Sequence, residues 1–159
     1  MRGPARHPMR RRWRAAGVVM ALALGGWAAG GARAAIELLD PLTDEPLALD
    51  KRPDQTTTPA VEEFLETGKN PYAGDEAAIA AGKKLYARWC QACHLADGSG
   101  RIGPRLNDDQ WKYPRVATDQ GKFEIIYAGG AGAMQAFGDR LDHDEILELV
   151  AFLDTLAKP

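Results

Sequence analysis

An all-α fold, one domain behind an extended N-terminal arm, is what this chain of 159 residues predicts. Three observations carry that reading. Apolar and small residues recur every three or four positions in separate stretches, the period of one helix face. No run alternates apolar and polar residues in the way a half-buried strand does. The two cysteines lie together in Cys90-Gln91-Ala92-Cys93-His94, directly after a helical pattern.

Residues 1–34 read as an export signal rather than as part of the fold. They hold seven Arg and no acidic residue, and an apolar run extends from Ala15 to about Ala32. Ala32-Arg33-Ala34 then fits a small-x-small cleavage site, which places the cut near Ala34 and the product in the periplasm. A transmembrane anchor is the alternative. The run is broken by Gly17, Gly25, Gly26, Gly30 and Gly31 and is marginal in length for a span, so membrane insertion of the mature chain is not expected.

Residues 35–58 are rich in Pro, Asp and Thr and predict an extended arm lying over the domain, which then occupies 59–159. Thr58 suits a cap for a short helix with Pro59 at its first position; Val61, Phe64 and Leu65 share a face and Gly68 ends it. A second helix starts near Asp75 and runs to the cysteines, with Ile79, Gly82, Tyr86 and Trp89 on one side. Gly82 leaves room for another helix to cross closely. A third starts at Thr118 or Asp119, carries Phe123, Ile126 and Tyr127, and stops at Gly129-Gly130. The last runs from about Asp142 to Leu156, buries Ile146, Leu149, Val150, Leu153 and Leu156, and packs across the second.

Cys90-Gln91-Ala92-Cys93-His94 has the spacing used to fix a c-type haem covalently. Each thiol adds to one vinyl group, and the adjacent His94 is brought under the iron. Zinc needs about four ligands, and outside the motif there are only His7, in the signal segment, and His143. A thioredoxin-like pair expects a strand and a βαβ context. A disulfide closing so small a loop adds little stability. One covalent haem c is therefore the expected cofactor.

A soluble carrier usually completes such an iron with Met or His. Met1, Met9 and Met20 fall in the signal segment, leaving Met134 beyond the Gly/Ala-rich loop Gly129–Ala133. Gap filling is the commoner use of Met, and His143 is a rival ligand. His143 sits between Asp142 and Asp144 and is expected to face solvent. A ligating His normally donates its other N–H to a carbonyl, and that of Pro104 suits. Leu106 is placed to cover a haem edge. Trp111, Tyr113, Arg101 and Arg105 are all able to serve the propionates, without a ranking among them.

Removal of residues 1–34 leaves 13 of the 20 basic residues and all 22 acidic ones, a formal charge of −9. Nucleic acid and anionic membrane are poor partners for such a chain, which is expected to be steered toward a basic surface.

The stretch Gly100-Arg101-Ile102-Gly103-Pro104-Arg105-Leu106-Asn107-Asp108, followed by Trp111-Lys112-Tyr113-Pro114, resembles the cytochrome c-L family. Ala117-Thr118-Asp119-Gln120-Gly121-Lys122-Phe123, Gly129-Gly130, the run from Thr58 to Gly68, and Asn70-Pro71-Tyr72 extend the likeness over nearly the whole mature chain. The resemblance implies a class I cytochrome c-like single haem domain, with His94 and Met134 as iron ligands and the porphyrin held by Cys90 and Cys93. It implies an electron-transfer protein, not an enzyme. Its donor would be a PQQ-dependent methanol dehydrogenase, and it would pass single electrons to a downstream cytochrome c or oxidase. Many relatives follow the ligating Met with Gly-Pro, whereas this chain has Gln135-Ala136-Phe137-Gly138. That departure leaves three donors in view: the calcium-dependent methanol enzyme, the lanthanide-dependent one, and a quinoprotein ethanol dehydrogenase. The lanthanide type is the reading taken. A haem enzyme or gas sensor with an open sixth iron position is the competing class.

Overall fold

The computed structural model describes Gly3 and residues 35–50, 52–55 and 57–156. The chain divides into two units, Met1–Ala32 and Arg33–Pro159, and the second holds every described residue except Gly3. The expected export signal, Gly3 apart, lies outside the described residues. Among them, no helix is long and apolar enough to cross a membrane.

The second unit is helical, without a strand among the described residues. Helix α1 (Pro59–Thr67) starts where the Thr58 hydroxyl accepts the Val61 N–H at 3.2 Å. It stops at Gly68, whose φ of 69° lets its N–H return to the Phe64 carbonyl. Helix α2 (Glu76–Trp89) is capped by Asp75, which accepts the Ala78 N–H at 2.8 Å. Helix α3 is the single turn Gln91–His94. A 3₁₀ turn, Pro114–Ala117, leads to α4 (Asp119–Ala128), capped by Thr118, and α5 (His143–Leu156) closes the unit. The sequence reading had separated neither α3 nor the 3₁₀ turn.

Helices α2 and α5 cross at Gly82. A Cβ there would overlap the Glu148 carbonyl, so only glycine permits the approach. Around the crossing, Ile146, Leu149 and Val150 are buried, and the Tyr86 and Phe152 rings lie 5.2 Å apart. Helix α4 is buried at every position from Gly121 to Tyr127, including Lys122 and Glu124. Glu124 is tolerated because its carboxylate is fully satisfied. It accepts from Arg115 Nε at 2.9 Å, from Gln120 Nε2 at 3.0 Å and from the Leu39 N–H at 2.9 Å.

That last bond belongs to the segment ahead of α1. Ile36 N–H donates to the Leu65 carbonyl at 2.9 Å, and Leu38 is buried. The segment is not extended throughout: an Asp40-centred turn doubles it back, and Leu39 pairs with Pro46 in an isolated antiparallel bridge. The solvent-facing placement expected for His143 is corrected. Its ring is buried, 5.8 Å from Phe123 and 5.7 Å from Tyr127. Its backbone N–H donates to Gln55 Oε1 at 3.0 Å, so a residue far upstream helps cover a helix start that looks polar in sequence.

Candidate functional site

Helix α2 delivers the site. It carries Tyr86 and Trp89 and ends at Cys90, after which α3 turns Cys93 and His94 into the interior. Leu95 stops that turn with φ 62°, an uncommon conformation for a branched residue. Two bonds hold it there: Leu95 N–H to the Gln91 carbonyl, and the Tyr86 hydroxyl to the Leu95 carbonyl at 2.7 Å. Burial above all pushes the Tyr86 phenol up to about 12. It therefore stays a donor at neutral pH.

The loop after α3 wraps under His94. The amides of Ile102 and Gly103 both donate to the Cys93 carbonyl, and Gly103 lies against the imidazole so closely that a Cβ would overlap Cε1. The next carbonyl, that of Pro104, sits 2.9 Å from His94 Nδ1. A carbonyl only accepts, so Nδ1 carries the proton. Nε2 is then the ring nitrogen left to bind a ligand.

Beyond that ring opens a cleft. His94 and Met134 both line it, with Cys90 in its wall; a second recess shares those three residues and adds Cys93 and Trp89. Pro104, Leu106 and Trp111 are in the lining. Of the four groups proposed for propionates, Trp111, Tyr113 and Arg105 line the cleft. Arg101 does not; its guanidinium donates to the Ala92 carbonyl at 2.9 Å. Met134 is held by the backbone of its loop: its carbonyl accepts the Gly130 N–H, and the Tyr113 hydroxyl accepts that of Ala131 at 3.0 Å. The departing residues after Met134 divide, with Phe137 buried against Trp89 and Gln135 accepting from Arg140 Nη1 at 2.7 Å.

Lys122 lines the cleft as well, which sequence reasoning missed. It lies among the apolar residues of α4 and donates to Asp154 at 2.6 Å. Helical spacing places it one turn before Ile126, a cleft-lining residue, and was the available signal.

These residues fit a covalent haem. The cleft is mostly apolar, one imidazole nitrogen is oriented by a carbonyl, and a methionine lines the same space. The two cysteines form no disulfide. Burial, with Cys93 adding to it, pushes the Cys90 thiol up to about 12, so it is sheltered and protonated at neutral pH. A bare metal ion is poorly served: among the described residues no three or more His, Cys, Asp or Glu converge on a point.

Comparison with known proteins gives a consistent result. The family described as cytochrome C oxidase, cbb3-type, subunit III matches residues 77–153. Cytochrome c-L of Methylorubrum extorquens is 42% identical over 96 residues, 60% of this chain and 49% of that protein. The match thus spans about half the length of that relative. The crystal structure of cytochrome CL from Methylophaga aminisulfidivorans superposes with a TM-score of 0.74 at 37% identity, covering 77% of this chain and 81% of that one. That of cytochrome cL from Hyphomicrobium denitrificans gives 0.75 at 35% identity, covering 79% and 76%.

Proposed function

This chain belongs to the cytochrome c-L family, and from that premise we propose that it is a periplasmic electron carrier with one covalent haem c, reduced by a PQQ-dependent alcohol dehydrogenase. The alcohol is methanol and the donor is the lanthanide-dependent type. The observation that supports the reading most is the meeting of His94 and Met134 on one apolar cleft, with Cys90 in its wall and Cys93 in the recess that shares these residues.

Cys90 and Cys93 would hold the porphyrin through thioethers, and His94 Nε2 and Met134 Sδ would hold its iron. The bound group supplies a one-electron Fe(III)/Fe(II) couple, which thioether ligation biases toward the reduced state. The chain does the rest. Pro104 fixes the orientation of the imidazole. Tyr113 and the Gly130 amide hold the Met134 loop closed. Leu106, Trp111 and the α5 side chains Leu149 and Leu153 keep water from the interior. An alcohol oxidation releases two electrons, so two carriers, or two visits, are needed per turnover, and the carrier passes each on to a further cytochrome c or an oxidase. Short-lived docking suits that traffic, because a slow off-rate would limit it. Export and cleavage near Ala34 complete the reading.

Stopped-flow mixing of the oxidised protein with a purified PQQ methanol dehydrogenase and methanol is the test. Rapid appearance of the reduced haem spectrum is expected. Failure of calcium- and lanthanide-loaded enzymes alike to reduce it would remove the donor assignment.

A further inference from the structure

Lys122 is an unexpected residue where it stands. It belongs to the stretch of α4 that is buried from Gly121 to Tyr127, and it lines an apolar cleft. A buried ammonium is costly unless an anion meets it. Two carboxylates of the chain approach it, Asp154 at 2.6 Å and Asp119 at 3.9 Å. Asp119 is beyond hydrogen-bonding distance and already accepts the Asn70 N–H at 3.0 Å. An ammonium has three protons to donate, and Asp154 takes one. A tie between α4 and α5 does not account for the lysine. A buried ion pair is often no more stabilising than apolar side chains of the same volume, and a methionine would fill the same space.

The cleft adds further donors beside it. The Trp111 ring lies 5.9 Å from Lys122 Nζ, and an indole nitrogen only donates. The Tyr113 hydroxyl accepts the Ala131 N–H at 3.0 Å and keeps its own proton to give. Both residues are half-buried, while the other two cations in the lining, Arg105 and Lys112, are exposed. No Asp or Glu lines the cleft, and Asp154 lies outside its lining. Buried donors without an acid among them suit an anionic group of the ligand.

Position identifies that group. The two vinyl groups of a haem lie on adjacent pyrrole rings, and its two propionates lie on the other two. Bonds from the vinyl groups to cysteines therefore turn the carboxylates to the opposite edge. Cys93 lines the second recess and not the cleft, whereas Lys122, Trp111, Tyr113 and Arg105 line the cleft and not that recess.

We propose that Lys122 is the buried counter-ion of one haem propionate, shared between that carboxylate and Asp154, and that its charge raises the reduction potential of the iron. The proposal rests on the haem assignment above. Trp111 and Tyr113 complete the donor set, and the exposed Arg105 and Lys112 remain for the carboxylate nearer water. An ammonium beside the propionate cancels a negative charge close to the iron, which favours Fe(II) over Fe(III). Asp154 works against it, but its side chain is 35% exposed and water weakens its effect.

Optical redox titration of the haem-loaded protein at about pH 8, where a carboxylate is ionised, tests this. Resonance Raman spectra of the propionate bending mode, which reports hydrogen bonding to the carboxylate, accompany it. K122M should fold, because methionine replaces the lysine stem and Asp154 keeps its contact with water. It should shift the propionate band and lower the equilibrium constant for reduction on the order of tenfold, about 59 mV for one electron. D154N should raise the potential, by less. K84M, at an exposed position of α2, should change neither readout. Damage that lets water into the cleft moves the potentials of K122M and D154N the same way, whereas charge moves them oppositely. A propionate band unmoved in K122M, or potentials of the two variants displaced in one direction, overturns the assignment of Lys122 and leaves the haem reading standing. A purified protein with no haem spectrum overturns both.

Discussion

His94 is governed by two neighbours in sequence, Gly103 and Pro104, one making space for the ring and the other setting its tautomer. Met134 has no such local determinant; it reaches the cleft because the loop from Gly129 is closed on itself and on Tyr113. Met134→Ala should therefore abolish the far-red charge-transfer band of Met-ligated ferric haem and lower the reduction potential, both readable by optical redox titration. Unchanged spectra would reject Met134 as a ligand. His143 makes a different prediction. Burial lowers its pKa below 6.5 against the raising effect of Asp142, and Arg52 lowers it further. The unfolded chain then binds the extra proton first, so the contribution of His143 to stability is complete above about pH 6.5 and is lost as pH falls below it. Between pH 7 and 5 the wild type should lose more stability than H143F, measured by urea unfolding at each pH. Parallel losses would contradict the assignment. The grouping of the cysteines with His94 was legible because it depends on spacing along a few residues. The burial of His143 was not, because Asp142 and Asp144 suggest solvent and the groups that cover it, Gln55 among them, are remote in sequence.

At the scale of elements, caps and stops were the readable signals. Thr58, Asp75 and Thr118 each accept an N–H in the first turn of their helices, and Gly68 adopts the positive φ its place demands. Helix α4 was only half readable. Its apolar residues mark a face, but Lys122 and Glu124 are buried too, each held by an ion pair that no periodicity reveals. The α2–α5 crossing was legible through Gly82 and makes a quantitative prediction. Ala in place of Gly gains about 0.8–1.0 kcal/mol in helix propensity. The new Cβ meets the backbone of Glu148, which no rotamer change relieves, and overpacking of this kind costs about 1–3 kcal/mol or more. The clash wins, so G82A should lower the urea midpoint, and a raised midpoint would contradict the packing.

For the molecule as a whole, composition and geometry answer different questions. Net charge is a sum and carries no position, so it could not show that neither recess has an Asp or Glu in its lining. Nor could a pattern read along the chain show that the segment ahead of α1 is tied to the domain through Glu124 and Leu65. What was legible is a cluster of two cysteines and a histidine and the elimination that left one methionine; Cys90, His94 and Met134 line one cleft, and Cys93 lines the recess that shares them. The account depends on a porphyrin bonded to Cys90 and Cys93. The direct test is the intact mass of the exported protein under denaturing conditions. A mass raised by one haem over the chain cleaved near Ala34 is predicted, and the bare mass of the polypeptide would contradict it.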